Sequence, residues 1–178
     1  MKKQKYCRTH LILGGARAGK TKFAQNLALK LSKDSKAPPI YIATGQALDP
    51  EMEERIRIHK IDRGEDFQTK ECPLNLSDPL LSASSNDIML IDCLTLFVSN
   101  LLCAEKFDEK KIVSFLNAIK LTKAQLIIVS NETGMGIVPD NKLTRDFRDI
   151  SGNLNQKVAQ MADKVTLMVA GIPVQIKN

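Results

Sequence analysis

Between Leu11 and Thr21 the chain reads Leu-Ile-Leu-Gly-Gly-Ala-Arg-Ala-Gly-Lys-Thr, an apolar run that stops at a glycine pair and resumes as a helix-forming segment. Gly14 to Thr21 fits G-x-x-x-x-G-K-[ST], a pattern whose physical content is a loop of backbone N–H groups turned inward around phosphate oxygens. Gly14, Gly15 and Gly19 are expected to supply backbone angles and close approaches that a Cβ blocks. Lys20 adds a mobile cation for the β- and γ-phosphates. Thr21 opens a helix whose N-terminus faces the anion and whose hydroxyl suits a Mg²⁺ position. The flanks supply the strand and helix this loop requires: residues 10–13 read as a buried strand, and 22–31 place Phe23, Leu27 and Leu31 at helical spacing.

The 178 residues suffice for one domain with a sizeable core, and 43% hydrophobic content argues against disorder. The apolar run behind the basic N-terminus is too short for a signal-peptide core or a membrane span, so a cytoplasmic protein is expected. Cys7, Cys72, Cys93 and Cys103 are scattered and only two histidines are available, which points to reduced, mostly buried thiols rather than a zinc site or a disulfide framework. A net charge of +6 suits nucleic acid and equally suits an enzyme handling several phosphates. With 4% aromatic residues and no Trp there is little material for base stacking, which lowers the single-strand-binding reading and tips the expectation towards no nucleic-acid partner.

Residues 40–43 form a second β-like run ending at Thr44-Gly45. Asp49, Pro50, Glu51 and Glu53 read as an N-cap, a first-turn proline and acids suited to the positive helix end, predicting a helix from Pro50 to about Asp62. On it Met52, Ile56, His59 and Arg63 share one face, and Arg55 and Arg63 lie one turn either side of His59. A strand is expected around 67–70, with the rest of 64–85 mixed in character. Residues 88–92, Ile-Met-Leu-Ile-Asp, take the form of a central strand whose last residue supports Mg²⁺ from beside the phosphate loop. Helices follow at 94–102 and 108–123, the second with Ile112, Phe115, Leu116 and Ile119 inward. A buried strand at 124–131 leads into a glycine-bearing loop at 132–139, of the kind that binds ligands at strand carboxyl ends. A long helix capped by Asp140 or Asn141, a strand at 164–170 and an edge strand at 171–176 that tolerates Pro173 complete the chain. Strands alternating with helices imply a mostly parallel sheet covered on both faces, the α/β P-loop NTPase fold of RecA-like type. On the residues alone, a P-loop small-molecule kinase and a basic nucleotide-dependent nucleic-acid-binding ATPase both remain open.

Further stretches stand out: Tyr41-Ile42-Ala43-Thr44, the Arg-Ile-x-x-His-Lys core of residues 49–63, Asp92-Cys93-Leu94-Thr95, residues 131–139 ending Gly-Met-Gly-Ile-Val-Pro, and residues 147–156 beginning Phe-Arg-Asp-Ile, of which the Gly-Met-Gly-Ile-Val-Pro and Phe-Arg-Asp-Ile segments are far more specific than any P-loop. Together with the phosphate loop, and in this order, the chain resembles the bifunctional adenosylcobinamide kinase / adenosylcobinamide-phosphate guanylyltransferase family of cobalamin biosynthesis. The resemblance implies two reactions: phosphorylation of adenosylcobinamide by ATP or GTP, then transfer of GMP from GTP through a covalent GMP-histidine. The matching histidine is His59. Some family members carry two adjacent histidines there, but this chain has Ile58 in the first place. The resemblance further implies nucleotide contacts at Gly14, Gly15, Ala16, Arg17, Ala18, Gly19, Lys20, Thr21, Ala43, Thr44, Gly45, Lys60, Ile61, Asp62, Arg63, Glu71 and Asp92, with Mg²⁺ at Thr21 and Asp92. Adenosylcobinamide and its phosphate are the implied partners, and a homotrimer the implied assembly. His10, before a buried strand, is read as structural.

Overall fold

The computed structural model describes residues 8–34, 37–47, 49–104 and 107–178. Strands and helices follow one another as β1 (Thr9–Gly14), α1 (Lys20–Leu31), β2 (Ile40–Ala43), α2 (Pro50–Arg63), β3 (Gln68–Glu71), α3 (Ser77–Leu81) and β4 (Ile88–Asp92). The second half continues with α4 (Leu94–Cys103), α5 (Glu109–Leu121), β5 (Gln125–Val129), α6 (Lys142–Met161), β6 (Lys164–Val169) and β7 (Ile172–Lys177). The strands form one sheet in the order β3-β2-β4-β5-β1-β6-β7. All neighbours are parallel except β6 and β7, whose antiparallel pairing puts Pro173 on an edge strand.

Strand alternation sorts the core into two layers. Leu11, Leu13, Ile40, Ile42, Met89, Ile91, Leu126 and Ile128 pack with residues of α3, α4, α5 and α6. Their neighbours Ile12, Tyr41, Leu90, Ile127 and Val129 pack with Ala24 and Ala28 of α1. Both sheet faces are therefore covered, as the alternating pattern requires of a parallel sheet.

Two particulars depart from the sequence reading, and two more lie beyond it. The deepest face of α1 is Lys20, Ala24 and Ala28, with Phe23 and Leu27 on its flank and Leu31 exposed, because small side chains let the helix approach the sheet closely. On α5 the inward set includes Ala118, and Leu116 is only half-buried. The short helix α3 falls where the sequence shows only mixed character. The Asp92 strand β4 is not the neighbour of β1, since β5 lies between them; Asp92 is close to the loop in space and not through strand pairing.

Candidate active site

The phosphate loop is built where β1 ends. Gly14 has φ 152°, and a Cβ there would lie 2.6 Å from the carbonyl oxygen of Met168 on the paired strand β6, so only glycine fits. Gly19, at φ 89°, caps α1 in the left-handed region. Gly15 differs from expectation: its φ is not positive and a Cβ would meet nothing within 4 Å. Its role lies in its carbonyl oxygen, which accepts the Lys20 ammonium at 2.6 Å. Burial lowers the pKa of Lys20, while Cys93 and Asp92 oppose that shift.

At the carboxyl end of β4, Asp92 Oδ2 accepts two hydroxyl donors, Thr21 Oγ1 at 2.8 Å and Tyr41 Oη at 2.6 Å. The phenol of Tyr41 is raised well above its usual pKa by burial and then by Asp92, so it remains the donor. The chain turn after Asp92 is clasped by Thr44, whose Oγ1 donates to the Cys93 carbonyl at 2.8 Å and accepts from the Cys93 N–H at 2.7 Å. The Thr44 carbonyl in turn accepts Asn100 Nδ2 at 2.7 Å. Burial pushes the Cys93 thiol up to about 11, which leaves it un-ionised at neutral pH and no nucleophile.

The helix α2 brings the third component. Asp49 caps it, accepting the Met52 N–H at 2.8 Å, and Pro50 opens its first turn. The face expected from spacing is the one turned inward: Met52, Ile56 and His59 are half-buried and Arg63 is buried, while every other described side chain of α2 is exposed. Arg63 lays its guanidinium 3.9 Å above the Tyr41 ring and leaves its buried Nε without a hydrogen-bond partner. Arg55, on the other side of His59, is exposed.

These elements enclose a cleft of about 700 Å³ lined by the phosphate loop from Ala16 to Thr21, by Arg55, His59, Lys60 and Arg63 of α2, and by Ala43, Gly45, Glu71 and Asp92. Lys60 and Glu71 form an exposed ion pair at 2.6 Å across its rim. Gly14, Gly15, Thr44 and Ile61 do not line it; Thr44 is fully buried and Ile61 is 63% exposed. The Asp62 side chain and Cys7 lie outside the described residues.

Arg55, expected beside His59, does line the cleft, whereas Tyr41 and Asn131 are among the lining residues that sequence reasoning does not place in the site. Asn131 follows β5, and its peptide is held from both sides, its N–H by Thr95 Oγ1 at 2.7 Å and its carbonyl by Asn155 Nδ2 at 3.0 Å. Its place directly after a buried strand is the signal that could have found it. In the loop beyond, Met135, Ile137 and Val138 are exposed and stand outside the cleft lining.

Two further readings resolve. His10 is structural: its Nε2 lies 2.8 Å from Thr166 Oγ1, which donates to Gln175 Oε1, and its ring meets Phe23 edge-on. Among the cysteines, Cys93 is buried and Cys72 half-buried, but Cys103 is exposed, contrary to the expectation of mostly buried thiols only at that position.

Thr21 and Asp92 suit Mg²⁺. They are hard oxygen donors within hydrogen-bond distance of each other beside the phosphate loop, and Mg²⁺ takes one or two protein oxygens with phosphate and water completing its shell. Among the described residues there is no cluster of three or more His, Cys, Asp or Glu side chains of the kind that cages a metal entirely with protein. Nor, among them, is any helix long and apolar enough to cross a membrane.

Comparison with known proteins agrees with this geometry. The chain is 41% identical to the bifunctional adenosylcobalamin biosynthesis protein CobU of Salmonella typhimurium over 185 residues, covering 94% of this chain and 98% of that protein. It is 40% identical to the bifunctional adenosylcobalamin biosynthesis protein CobP of Pseudomonas aeruginosa over 172 residues, covering 94% and 96%. Among solved structures, the flagellar accessory protein FlaH of Methanocaldococcus jannaschii superposes with a TM-score of 0.52 at 12% identity, over 96% of this chain and 78% of that one, a likeness of fold alone. Residues 10–176 match the family described as cobinamide kinase / cobinamide phosphate guanyltransferase, and the chain belongs to that family.

Proposed function

We infer that this chain phosphorylates the hydroxyl on the aminopropanol arm of adenosylcobinamide with ATP or GTP, and then transfers GMP from GTP through His59 to the phosphate so formed. The observation that carries this reading is that the phosphate loop with Lys20, the Thr21–Asp92 pair and His59 line one cleft. One phosphate cradle thereby serves both steps. In the first, Lys20 and the loop amides hold the triphosphate in line with the hydroxyl, and catalysis is positioning and charge stabilisation. Bound at Thr21 and Asp92, Mg²⁺ supplies charge neutralisation at the phosphates. In the second, a neutral imidazole nitrogen of His59 attacks the α-phosphorus; a P–N bond forms as the P–O bond to pyrophosphate breaks, and pyrophosphate leaves. The substrate's phosphate oxygen then attacks the same phosphorus and releases the imidazole, giving the GDP-linked corrinoid. Arg55 and Arg63, on either side of His59 along α2, are placed to take α- and β-phosphate oxygens.

Of the contacts the resemblance implies, those assigned to the nucleotide are Ala16–Thr21, Ala43, Gly45, Lys60, Arg63, Glu71 and Asp92, which line the cleft; Gly14, Gly15 and Thr44 shape it from behind. The same reading makes the 178 residues a single nucleotide-binding domain, supported by the one continuous sheet, and assigns the enzyme to the cytoplasm. It extends to a homo-oligomer, the trimer implied by the resemblance; exposed Met135, Ile137 and Val138 offer apolar area for subunit contact. Intact mass after incubation with GTP and Mg²⁺ tests the central step. Addition of one GMP residue is expected, and an unchanged mass would reduce the reading to a kinase alone.

A further inference from the structure

The helix that carries His59 meets the rest of the molecule along the face of Met52, Ile56, His59 and Arg63. Ile56 packs over Gly45, where an added Cβ would come within 3.4 Å of the isoleucine side chain. Lys60 pairs with Glu71 at an exposed rim, where an ion pair holds position weakly. A further attachment is the last residue of α2, Arg63, whose guanidinium lies 3.9 Å above the ring of Tyr41. Tyr41 itself is 3% exposed, and Phe67 meets it edge-on with centroids 5.8 Å apart, so the ring is a fixed platform. Its other end belongs to the phosphate side of the cleft, where the hydroxyl donates to Asp92 Oδ2 at 2.6 Å. Thr21 donates to that same oxygen, which leaves Oδ1 for a cation.

We propose that Tyr41 is a positioning residue for both transfers: its hydroxyl sets the Asp92 carboxylate beside Thr21, and its ring face seats Arg63 and with it the turn of α2 that carries His59. One side chain thus registers the guanylyl-accepting helix against the phosphate cradle. The two roles use different atoms and can be separated. Tyr41→Phe removes the hydroxyl and keeps the platform; Tyr41→Leu removes both; Arg63→Lys keeps the charge and removes the planar group that stacks. The inference rests on the GMP-transfer reading for its ring-face half, whereas its hydroxyl half is read by binding alone.

The test measures GTP affinity by calorimetry with Mg²⁺ and with chelator, and the rate of label transfer from α-labelled GTP to His59 across Mg²⁺ concentration. For Tyr41→Phe, the gain in GTP affinity conferred by Mg²⁺ is expected to shrink about tenfold, and the Mg²⁺ needed for half-maximal labelling to rise about tenfold, the scale of one lost charge-assisted hydrogen bond. Its plateau at saturating Mg²⁺ should fall far less than that of the other two variants. For Tyr41→Leu and Arg63→Lys the plateau itself should drop about tenfold at every Mg²⁺ concentration. Because Arg63 also faces the phosphates, Tyr41→Met, which lacks the ring face but fills more of the site than Leu, carries this arm if Tyr41→Leu does not fold. A Mg²⁺-linked gain for Tyr41→Phe equal to that of wild type would overturn the hydroxyl role. Plateau rates for the Leu and Lys variants equal to that of the Phe variant would overturn the ring role. Wild-type protein that takes no label overturns the GMP-transfer reading, and the ring role with it; labelled wild type with indifferent variants overturns this inference alone.

Discussion

Two adjacent glycines of the phosphate loop should behave in opposite ways. Gly14→Ala places a Cβ 2.6 Å from the Met168 carbonyl oxygen and 3.2 Å from its Cβ, at a φ of 152° that L-residues rarely adopt. The clashing atom is backbone within the β1–β6 pairing, where Gly14 opposes Met168, so no side-chain rotation relieves it. Strain at an unfavourable φ costs about 1–3 kcal/mol, and forcing an extra methyl into a packed site costs about as much again. The expected loss is therefore about 3 kcal/mol of stability, equal to a fall of about 1.5 M in urea midpoint at a slope of about 2 kcal/mol/M. Because the Gly14 carbonyl also accepts the Glu132 N–H at 3.0 Å, the displacement should spread to the loop after β5 and weaken GTP binding. Gly15→Ala meets nothing within 4 Å and should change stability by about 0.5 kcal/mol or less. Equilibrium urea unfolding of the two variants, followed by far-UV circular dichroism, makes the comparison. Equal midpoints for Gly14→Ala and Gly15→Ala would refute the close-approach argument.

Other expectations follow from the same contacts. Asp92→Asn keeps the shape of the side chain but removes its charge, so Mg²⁺-dependent phosphoryl transfer should fall about 100-fold or more, with little change in melting temperature; steady-state kinetics against Mg²⁺ concentration checks this. Thr44→Val deletes the hydroxyl that both accepts from and donates to Cys93, leaving buried backbone groups unpaired, and should cost about 2–4 kcal/mol in denaturant unfolding. The imidazole of His10 is held down at about 4 by burial first and Lys164 second, so the unfolded chain binds the proton more tightly than the folded one. Stability from this residue is present above its ordinary value of 6.5 and is lost as pH falls towards 4; wild type should therefore lose stability more steeply than His10→Gln across that window, and parallel pH curves would contradict the assignment.

Where local chemistry decides, the sequence is readable. The Ile-Met-Leu-Ile run ends in a carboxylate, and β4 spans those residues and Asp92. The 3.6-residue spacing of Met52, Ile56, His59 and Arg63 is enough by itself to identify the inward face of α2, because successive turns of a helix superpose those side chains. Where long-range pairing decides, the sequence is silent. Periodicity says that β1, β4 and β5 are buried but carries no record of which strand lies between which, so the insertion of β5 between β1 and β4 and the resulting position of Asn131 emerge only in three dimensions. Helix α3 escapes a periodicity argument because Ser77–Leu81 is barely one turn long and contains Pro79. Tyr41 illustrates a different limit: in Ile40-Tyr41-Ile42 it reads as one more strand residue, and the hydroxyl contact with Asp92 joins positions 51 apart. The assignment of His59 as the covalent residue comes from family resemblance and not from its neighbours in sequence, and the structure adds that it lines the cleft of Lys20 and Asp92.

The most direct test of the account separates the two reactions at His59. Phosphoryl transfer needs the loop, the cation site and an oriented hydroxyl, none of which is an imidazole, whereas the GMP adduct cannot form without a nucleophile. His59→Ala should be given adenosylcobinamide with γ-labelled and, separately, α-labelled GTP, and both product and protein should be counted. The account predicts phosphorylated corrinoid, no GDP-linked corrinoid and no acid-labile label on the protein. Formation of the GDP-linked product, or acid-labile α-label on the His59→Ala protein, would contradict it.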